Sequence, residues 1–446
     1  MPSRYREGVP DPAAASLKPV LTPEGFSLLN SLPEYAETEA DVTNARLRKQ
    51  GYSAETVAAV LTQLRLRRDA RSKFGNFASS MLFTPDGLQQ STRLPVAAGH
   101  AQRFLAAGLQ HVADLGCGLG ADALAMASAG LQVTAVESDE TTAAAATVNL
   151  MPFPEAQVVH TTAETFAVEH HLMPEASADA SRVDLPPGWG LWLDPGRRRT
   201  TQAEKPIRIW DPEAFSPPLS FVTALAATGV PLGVKLGPGL PHDSVPAGCE
   251  AQWVSIDGEL VEVVLWFNAL ARQGVRRSAT ALASSDADRQ SVTAVELTSS
   301  AQFGQGPAPE PTGPQGLRGV LCEPDPAVIR AGLVADLAEQ LGGWLLDEHI
   351  AYFCTAGPPQ GQLAGLVRSY RVLEVMSYSP KALKRWCSDQ QVTSVEIKKR
   401  GVDVVPETLR KQVLPKQARG PRRHVTLVIT RIGEERVVAV VEPLPR

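Results

Sequence analysis

The chain has 446 residues, which is enough for two to four domains of ordinary size. Hydrophobic residues make up 43% of it and the formal net charge is −5, so it can form sizeable apolar cores and carries no overall positive charge that would attract nucleic acid. Its five cysteines form no CxxC pair, and neither the apolar segment of a signal peptide nor a run of about 18 apolar residues occurs. We therefore expect a cytoplasmic protein without a disulfide framework, a bound metal or a membrane span.

The N-terminal region, residues 1–108, is predicted to be helical. Thr22 has the side chain of a helix cap and is followed by Pro23, which suits the first helical position. A second helix is predicted over Ser53–Arg71; Ser53 is its capping residue, and Val57, Val60, Leu61 and Leu64 form an apolar stripe. Between residues 46 and 73, eight Lys and Arg residues stand against two acidic ones. This excess indicates either a solvated helix face or a phosphate-binding surface.

Residues 109–281 alternate between apolar strands and Ala-rich helices, which predicts a parallel sheet with helices on both faces. The predicted strands are HVADLG, LQVTAVE, AQVVHTTA, GLWLDP and VPLGVKL. The segment WVSIDGELVEVVLWF, residues 253–267, contains an Asp-Gly turn signal and predicts one or two strands near the sheet edge. RRSATAL is a candidate for the last strand of this sheet.

Residues 282–318 have the composition of a linker, although VTAVEL within them could form a short strand. A separate α+β domain is predicted over residues 319–446. Its predicted elements are a helix over 326–342, the strands IAYFCTA, SYRVLEVMSY and TSVEIKKRG, the helices PKALKRWCS and PETLRKQV, and a final hairpin from HVTLVITRI to RVVAVVEP.

Basic residues are concentrated late in this domain. From Met376 to Arg431 there are 13 Lys and Arg residues against four acidic ones. Such a local excess is typical of a surface that binds nucleic-acid phosphates. The candidates for RNA contact are Lys398, Lys399, Arg400, Arg422 and Arg423.

The strongest chemical signal is ADLGCGLGADAL, residues 113–124, where a predicted strand ends and a glycine loop leads into a helix. Its pattern, D-x-G-x-G-x-G, differs from the dinucleotide fingerprint G-x-G-x-x-G. A carboxylate at Asp114 suits a ligand with an ammonium group and would repel a pyrophosphate. Glu137 ends the next strand, where a carboxylate can accept hydrogen bonds from ribose hydroxyls. A nicotinamide or flavin site is the alternative.

These residues resemble the class I methyltransferases that use S-adenosylmethionine (SAM), a ligand with an amino acid moiety and a sulfonium cation. The resemblance implies that Asp114 and the loop glycines hold the methionine part, that Glu137 holds the ribose, and that Glu164 lies near the adenine. The loop glycines are Gly116, Gly118 and Gly120. Asp139 is interpreted as a helix cap, and Asp122 either stabilises its helix through the dipole or belongs to the site.

The segment WLDPGRRR, residues 192–199, lies where this class of enzyme places the residues that meet the methyl acceptor. Asp194, Pro195 and Arg197 are the candidate catalytic residues. In enzymes that methylate base amines the segment reads D/N-P-P-Y/F, and this chain lacks the aromatic residue that stacks on the base. Arg197 could stack on a base, pair with a phosphate or form a salt bridge. Lys235, in VKLGPGLPH, follows the fifth strand on the same side, and we interpret it as structural.

Several blocks resemble a family of bacterial class I methyltransferases with a C-terminal THUMP-like domain. They are KFGNFASSMLFTPDGLQQSTRLPVAAGHAQRF, DLGCGLGADALAMA, LDPGRRR, CEPDPAVIRAGLV and EIKKRGVDVVPETLRKQ. The resemblance implies an α/β fold with a Rossmann-like sheet, SAM as the cofactor and RNA as the partner, because THUMP domains bind RNA. We expect an RNA methyltransferase acting on tRNA or rRNA. A small-molecule or protein methyltransferase is the alternative, and a non-catalytic scaffold the third possibility.

Overall fold

The computed structural model describes residues 16–173, 186–197, 212–285, 291–414 and 423–445. The helices are α1 Pro23–Ser31, α2 Ala40–Lys49, α3 Ala54–Phe74, α4 Pro85–Gln90, α5 Leu94–Ala106, α6 Ala121–Ser128, α7 Glu140–Leu150, α8 Ala163–Glu169, α9 Leu219–Ala227, α10 Pro326–Arg330, α11 Val334–Gln340, α12 Pro380–Asp389 and α13 Pro406–Val413.

The strands are β1 His111–Leu115, β2 Gln132–Glu137, β3 Ala156–His160, β4 Trp189–Leu193, β5 Gly196–Arg197, β6 Phe215–Ser216, β7 Leu232–Leu236, β8 Glu250–Ile256, β9 Glu259–Phe267, β10 Arg277–Ser284, β11 Val292–Ser299, β12 Val320–Pro324, β13 Trp344–Leu345, β14 Phe353–Thr355, β15 Val367–Ser377, β16 Ser394–Arg400, β17 His424–Ile432 and β18 Glu435–Pro443.

The chain divides into two compact units. Unit 1 comprises Met1–Cys249, Val264–Arg272 and Ser284–Val292, and unit 2 comprises Glu250–Val263, Gln273–Ala283 and Thr293–Arg446. Unit 2 therefore includes β8 and most of β10, which come before the predicted linker. The domain boundaries at 108, 281 and 318 stay predictions.

Unit 1 begins with the helices α1 to α5, as the N-terminal pattern predicts. The Thr22 hydroxyl accepts a hydrogen bond from the backbone N–H of Gly25, and Ser53 accepts one from Thr56, so both predicted caps are confirmed. In α3 the side chains of Val57, Val60 and Leu64 are buried. They belong to the core that also contains apolar residues of β1, α6 and β2. Burial of this stripe anchors the helices on the sheet.

The unit 1 sheet runs in the order β9–β7–β4–β1–β2–β3, with the last part of β9 belonging to this unit. The pairs β1–β2, β1–β4, β2–β3 and β4–β7 are parallel, which confirms the predicted βαβ alternation. Close packing requires glycine at two strand positions. A Cβ on Gly233 would lie 2.6 Å from Trp266, and one on Gly190 would lie 2.8 Å from Leu109. The carboxyl ends of the parallel strands meet at one edge, where α/β folds bind ligands.

Unit 2 contains the strand order β11–β10–β8–β9 and a seven-stranded sheet in the order β13–β14–β12–β15–β18–β17–β16. Neighbouring strands of the seven-stranded sheet are antiparallel, apart from the parallel pair β16–β17. Helices α12 and α13 bury Leu383, Cys387, Leu409 and Val413 in a core shared with β16, β17 and β18. This is the predicted small α+β domain.

Residues 253–267 form two strands joined at Asp257 and Gly258, both with positive φ, and β10 and β11 lie between them and the sheet edge. Three details of the predicted elements were wrong. RRSATAL is β10, which β11 follows, so it is not the last strand. The helix predicted over 326–342 is two helices, because Gly332 adopts a left-handed conformation (φ 66) between them. The strand predicted as IAYFCTA is shorter, Phe353–Thr355.

Among the residues that the structure describes, no helix is long and apolar enough to cross a membrane. Within the same residues, no group of three or more His, Cys, Asp and Glu side chains could hold a metal ion. The five cysteines are free and buried.

Candidate active site

The glycine loop connects the end of β1 to α6. Gly116, Gly118 and Gly120 have φ values of 99, 56 and 81, a left-handed region that glycine adopts without strain. The backbone N–H groups of Gly116 and Cys117 both donate to the carbonyl of Val136 at 2.9 Å. A Cβ on Gly116 would lie 3.5 Å from the Asp194 carbonyl oxygen. The loop therefore lies between the ends of β2 and β4.

Asp114 is a buried carboxylate at the end of β1. Among the residues that the structure describes, neither of its two oxygens has a hydrogen-bond partner. Burial, followed by the negative charges of Asp122 and Asp194, raises the pKa of Asp114 well above its usual range, and Lys235 opposes this rise. A buried polar group without a partner is costly and is the exception in folded proteins. An ammonium group such as that of SAM fits this position, because it would supply both a donor and a positive charge.

Glu137 ends β2 and is half-buried. Its Oε2 accepts a hydrogen bond from the Gly118 N–H at 3.0 Å, and its Oε1 accepts one from the Asp139 N–H at 2.8 Å. These bonds hold the carboxylate beside the glycine loop, and each oxygen retains lone-pair capacity for a ribose hydroxyl. Asp139 caps α7 by accepting from Thr142 N–H at 2.8 Å, which confirms its interpretation as a cap.

Glu164 lies exposed in the first turn of α8, directly after β3. This is the third strand end of the same sheet edge. Its assignment to the adenine stays a prediction.

The acceptor segment follows β4. Asp194 and Pro195 are half-buried, and β5 pairs with β6 in an antiparallel arrangement, Arg197 opposite Phe215. The Arg197 backbone is described, whereas its side chain lies outside the described part of the structure. The catalytic assignments of these three residues stay predictions.

Lys235, in β7, is the site residue that sequence reasoning missed. It is buried, and its ammonium group forms an ion pair with the Asp194 carboxylate. The same Nζ donates to the Thr92 hydroxyl at 2.7 Å and lies 4.0 Å from Asp122 Oδ2. The structural interpretation of Lys235 did not include this contact with the predicted acceptor carboxylate. Its predicted position on the same side of the sheet as Asp194 was the signal that could have indicated the contact.

Asp122 lies in the first turn of α6 within the same buried network. The Thr92 hydroxyl donates to its Oδ2 at 2.7 Å, and His100 Nδ1 lies 2.7 Å from its Oδ1. Burial acts to raise the pKa of Asp122, but the hydrogen bond with His100, the charges of His100 and Lys235, and the bond from Thr92 outweigh it and lower the pKa. Asp122 therefore belongs to the surroundings of the site as well as to the start of its helix.

Of the eight basic residues between 46 and 73, Arg48 donates to the Tyr52 carbonyl, and four more are engaged within unit 1. Arg67 is buried and donates to the Met81 carbonyl at 2.8 Å. Arg71 pairs with Glu34, and Arg68 with Glu37 and Asp69. Lys73 donates to three carbonyls at the end of α4, those of Leu88, Gln89 and Ser91. These four side chains support the helical region, which weakens the interpretation of this stretch as a phosphate-binding surface.

The predicted RNA contacts fall into two groups. Lys398 pairs with Glu323 at 2.8 Å and Arg400 lies 3.8 Å from the same carboxylate, so both are engaged within the domain. Lys399 is exposed, and Arg423 is exposed with its guanidinium donating to Gln390. Arg422 lies outside the described residues.

The Glu323–Lys398 pair also reveals the curvature of the seven-stranded sheet. Glu323 is in β12 and Lys398 in β16, which are four strand spacings apart. A flat sheet would separate these strands by about 19 Å, at about 4.8 Å per spacing. The sheet therefore curls strongly, and the rings of Tyr370 and Tyr352 lie under Lys398 and Arg400 at 5.3 and 4.8 Å.

Comparison with known proteins agrees with this architecture. A family model described as THUMP domain-like matches residues 367–443, and a model for a domain of unknown function matches residues 13–70. Two proteins from strains of Mycobacterium tuberculosis, both named as uncharacterised S-adenosylmethionine-dependent methyltransferases, are 28% identical over 376 residues, covering 82% of this chain and 91% of each relative. A structure described as a methyltransferase, from Porphyromonas gingivalis W83, aligns with a TM-score of 0.66 at 19% identity, covering 93% of this chain and 100% of the other.

The fold is that of the aligned methyltransferase structure, and the relatives support a methyltransferase that uses S-adenosylmethionine. Residues 367–443 are in addition similar to the THUMP-like domain.

Proposed function

We propose that this methyltransferase acts on RNA, either tRNA or rRNA. The methyl donor is S-adenosylmethionine. One observation carries the proposal. Asp114, at the glycine loop, and Asp194, in the acceptor segment, lie at one sheet edge, and the same chain has a THUMP-like domain. RNA as the substrate rests on what a THUMP-like domain implies, together with the exposed cations described below. A cytoplasmic location is part of the proposal, and the free cysteines support it.

The residues at the donor side fit the parts of the cofactor. The Asp114 carboxylate would receive the ammonium group, the loop glycines leave room for the methionine part, and Glu137 would accept from the ribose hydroxyls. Glu164, at the third strand end, is our candidate for the adenine. When bound, SAM supplies a methyl group already activated by its sulfonium. The protein then contributes position and exclusion of water rather than strong acid–base groups.

Asp194, Pro195 and Arg197 are our candidates for the acceptor side. The backbone of Asp194 lies next to the glycine loop, since its carbonyl oxygen is 3.5 Å from a Cβ built on Gly116. A carboxylate in this position can accept a hydrogen bond from the N–H or O–H group that receives the methyl. We propose that Asp194 orients this group toward the donor.

The RNA surface that we propose includes the outward sides of α12 and α13. Both helices bury their apolar side chains against the sheet, which leaves their cations in solvent. We call the exposed residues Lys381, Lys384, Arg385 and Lys411 the basic helix face. Lys399 and Arg423 are exposed in the same domain, and Arg422 precedes Arg423 in sequence. Phosphate contacts of this kind give affinity without reading the base sequence.

A small-molecule or protein acceptor is the second candidate. It is favoured by the engagement of Lys398 and Arg400 with Glu323, which removes two cations from the predicted RNA surface.

The test is methyl transfer to material from a strain that lacks the gene. The extract is separated into RNA, protein and small-molecule fractions, and each is incubated with the purified protein and SAM labelled in its methyl group. Label in RNA is the expected result. Label confined to protein or to small molecules would overturn the RNA proposal in favour of the second candidate.

A further inference from the structure

Lys235 is a buried cation between the donor and acceptor sides of unit 1. Its Nζ forms an ion pair with Asp194 at the end of β4 and donates to Thr92 at 2.7 Å. Thr92 in turn donates to Asp122, at the start of the helix that follows the glycine loop. A continuous polar chain therefore runs from the acceptor carboxylate to the glycine-loop helix.

The positive charge of Lys235 acts on three carboxylates. Asp122 is buried and Asp194 half-buried, and their negative charges raise the pKa of the buried Asp114, whereas the charge of Lys235 lowers it. Carboxylates shielded from water repel one another, and a lysine between them relieves the repulsion. Thr92 has one hydroxyl proton, which it gives to Asp122, so its oxygen can only accept from Lys235. The direction of every hydrogen bond in the chain is thus fixed.

We propose that Lys235 is a positioning residue for the methyl acceptor: it fixes the Asp194 carboxylate and couples it, through Thr92 and Asp122, to the glycine-loop helix. The inference rests on the proposed methyl transfer but not on the identity of the acceptor. Lys235 acts through Asp194 and does not itself touch the reacting atoms.

The coupling suits a displacement reaction that is sensitive to distance. The acceptor atom donates its lone pair to the methyl carbon, the carbon–sulfur bond breaks with its electron pair remaining on sulfur, and the acceptor loses its N–H or O–H proton. A fixed Asp194 carboxylate receives that proton and holds the acceptor in line. Misplacement of a reactant by a fraction of an ångström is enough to slow such a step substantially.

The experiment is a double-mutant cycle on the labelled-methyl assay, using whichever fraction of the deletion-strain extract accepts label. Lys235→Met is expected to lower kcat about 10- to 100-fold, since a charge-assisted bond to Asp194 is lost. SAM affinity, measured by calorimetry, is expected to fall less than kcat, because Lys235 pairs directly with Asp194 and affects Asp114 only through its charge. The combination of Lys235→Met with Asp194→Asn is expected to lose no more activity than Asp194→Asn alone.

Thr92→Val is the second variant, because removing one partner of a buried ion pair can destabilise the whole unit. It keeps every charge and removes only the hydroxyl link, so a smaller loss of about 3- to 10-fold in kcat is expected. Arg67→Met is the matched control, because Arg67 is also a buried cation of unit 1 but donates to Met81 and Asn30 outside the site. It is expected to lower the melting temperature and to leave kcat per folded molecule unchanged.

Losses from Lys235→Met and Asp194→Asn that multiply in the double variant would overturn the inference, since Lys235 would then act independently of Asp194. Equal loss of activity per folded molecule in Arg67→Met would do the same. The labelled fraction decides the proposed function separately: label in a fraction other than RNA refutes the RNA substrate while the cycle still tests Lys235. If no fraction accepts label from the parent protein, both fail.

Discussion

Replacing Asp114 by asparagine is expected to stabilise the protein without its cofactor and to weaken cofactor binding. Burial, Asp122 and Asp194 raise the pKa of Asp114 well above its usual range. A carboxyl with a raised folded-state pKa stabilises the fold below its unfolded pKa, and that contribution is lost as the pH rises through the folded pKa. The charged form is therefore the destabilising one when no cofactor is bound.

The magnitude follows from the charge that the substitution removes, because an asparagine amide at this position is also a polar group without partners. A buried polar group without a partner costs about 1–3 kcal/mol, and more when it is charged. Asp114→Asn, measured at about pH 8 without SAM, is expected to recover part of this, and about 1 kcal/mol corresponds to a rise in Tm of about 2–4 °C for a domain of this size. SAM affinity is expected to fall about 10- to 100-fold, through loss of one charge-assisted hydrogen bond.

The Asp114 carboxyl also links cofactor binding to the release of a proton. An ammonium group favours the ionised form, so binding is expected to release a proton from Asp114. SAM affinity should then rise with pH between the pKa of Asp114 in the cofactor-bound protein and its pKa in the cofactor-free protein, by at most about tenfold per pH unit. The charged groups that shape this window are Asp122, Asp194, Lys235 and Glu137.

Calorimetric titration in buffers of different ionisation enthalpy measures the released protons, and thermal denaturation measures the stability. A variant with a lower Tm and unchanged SAM affinity would refute the reasoning, because Asp114 would then support the fold rather than the ligand. A parent protein that releases no proton across about pH 6–9 would refute the linkage.

Three further predictions concern other parts of the site. Glu137→Ala should weaken SAM binding about 10- to 100-fold without unfolding the chain, and unchanged affinity by calorimetry would contradict its role at the ribose. Asp194→Ala should keep SAM affinity and abolish methyl transfer; a lower Tm with normal activity per folded molecule would instead indicate a structural role. Reversing the four cations of the basic helix face to Glu should weaken RNA binding and flatten a log–log salt slope by about 3, at roughly 0.7 per contact. Lys398→Glu is the control variant, because it breaks the pair with Glu323 and should lower Tm rather than RNA affinity. Equal RNA binding by the parent and the basic-helix-face variant in filter assays would contradict the proposed surface.

Local signals explain which parts of the fold could be predicted from sequence. Helix caps such as Thr22, Ser53 and Asp139 act within three residues, and strand hydrophobicity acts within five or six, so both were found. The break at Gly332 was missed because the apolar pattern continues across it. The interruption comes from one backbone conformation that the pattern does not encode.

The donor side of the site was predictable and the acceptor side only partly so. Asp114, the glycines and Glu137 lie at the ends of two adjacent strands, and their spacing along the chain indicates this placement. Lys235 and Thr92 are 143 residues apart, and their contact depends on how an N-terminal segment packs on the sheet. No pattern in the sequence could indicate that contact.

In the C-terminal domain, the number of basic residues did not predict which of them are exposed. The excess of basic residues from Met376 to Arg431 is a property of composition, whereas exposure is a property of the fold. Lys398 and Arg400 turn to Glu323 because the sheet curls, and the cations of α12 and α13 remain in solvent because the opposite sides of these helices are buried.

The central claim, methyl transfer to RNA through the Asp194 site, is tested most directly by mass spectrometry of the nucleosides of total RNA. Three strains are compared: one that lacks the gene, one complemented with the parent gene and one complemented with Asp194→Ala. The account predicts a methylated nucleoside that disappears on deletion, returns with the parent gene and does not return with the variant. Identical nucleoside profiles in the deleted and complemented strains would contradict it.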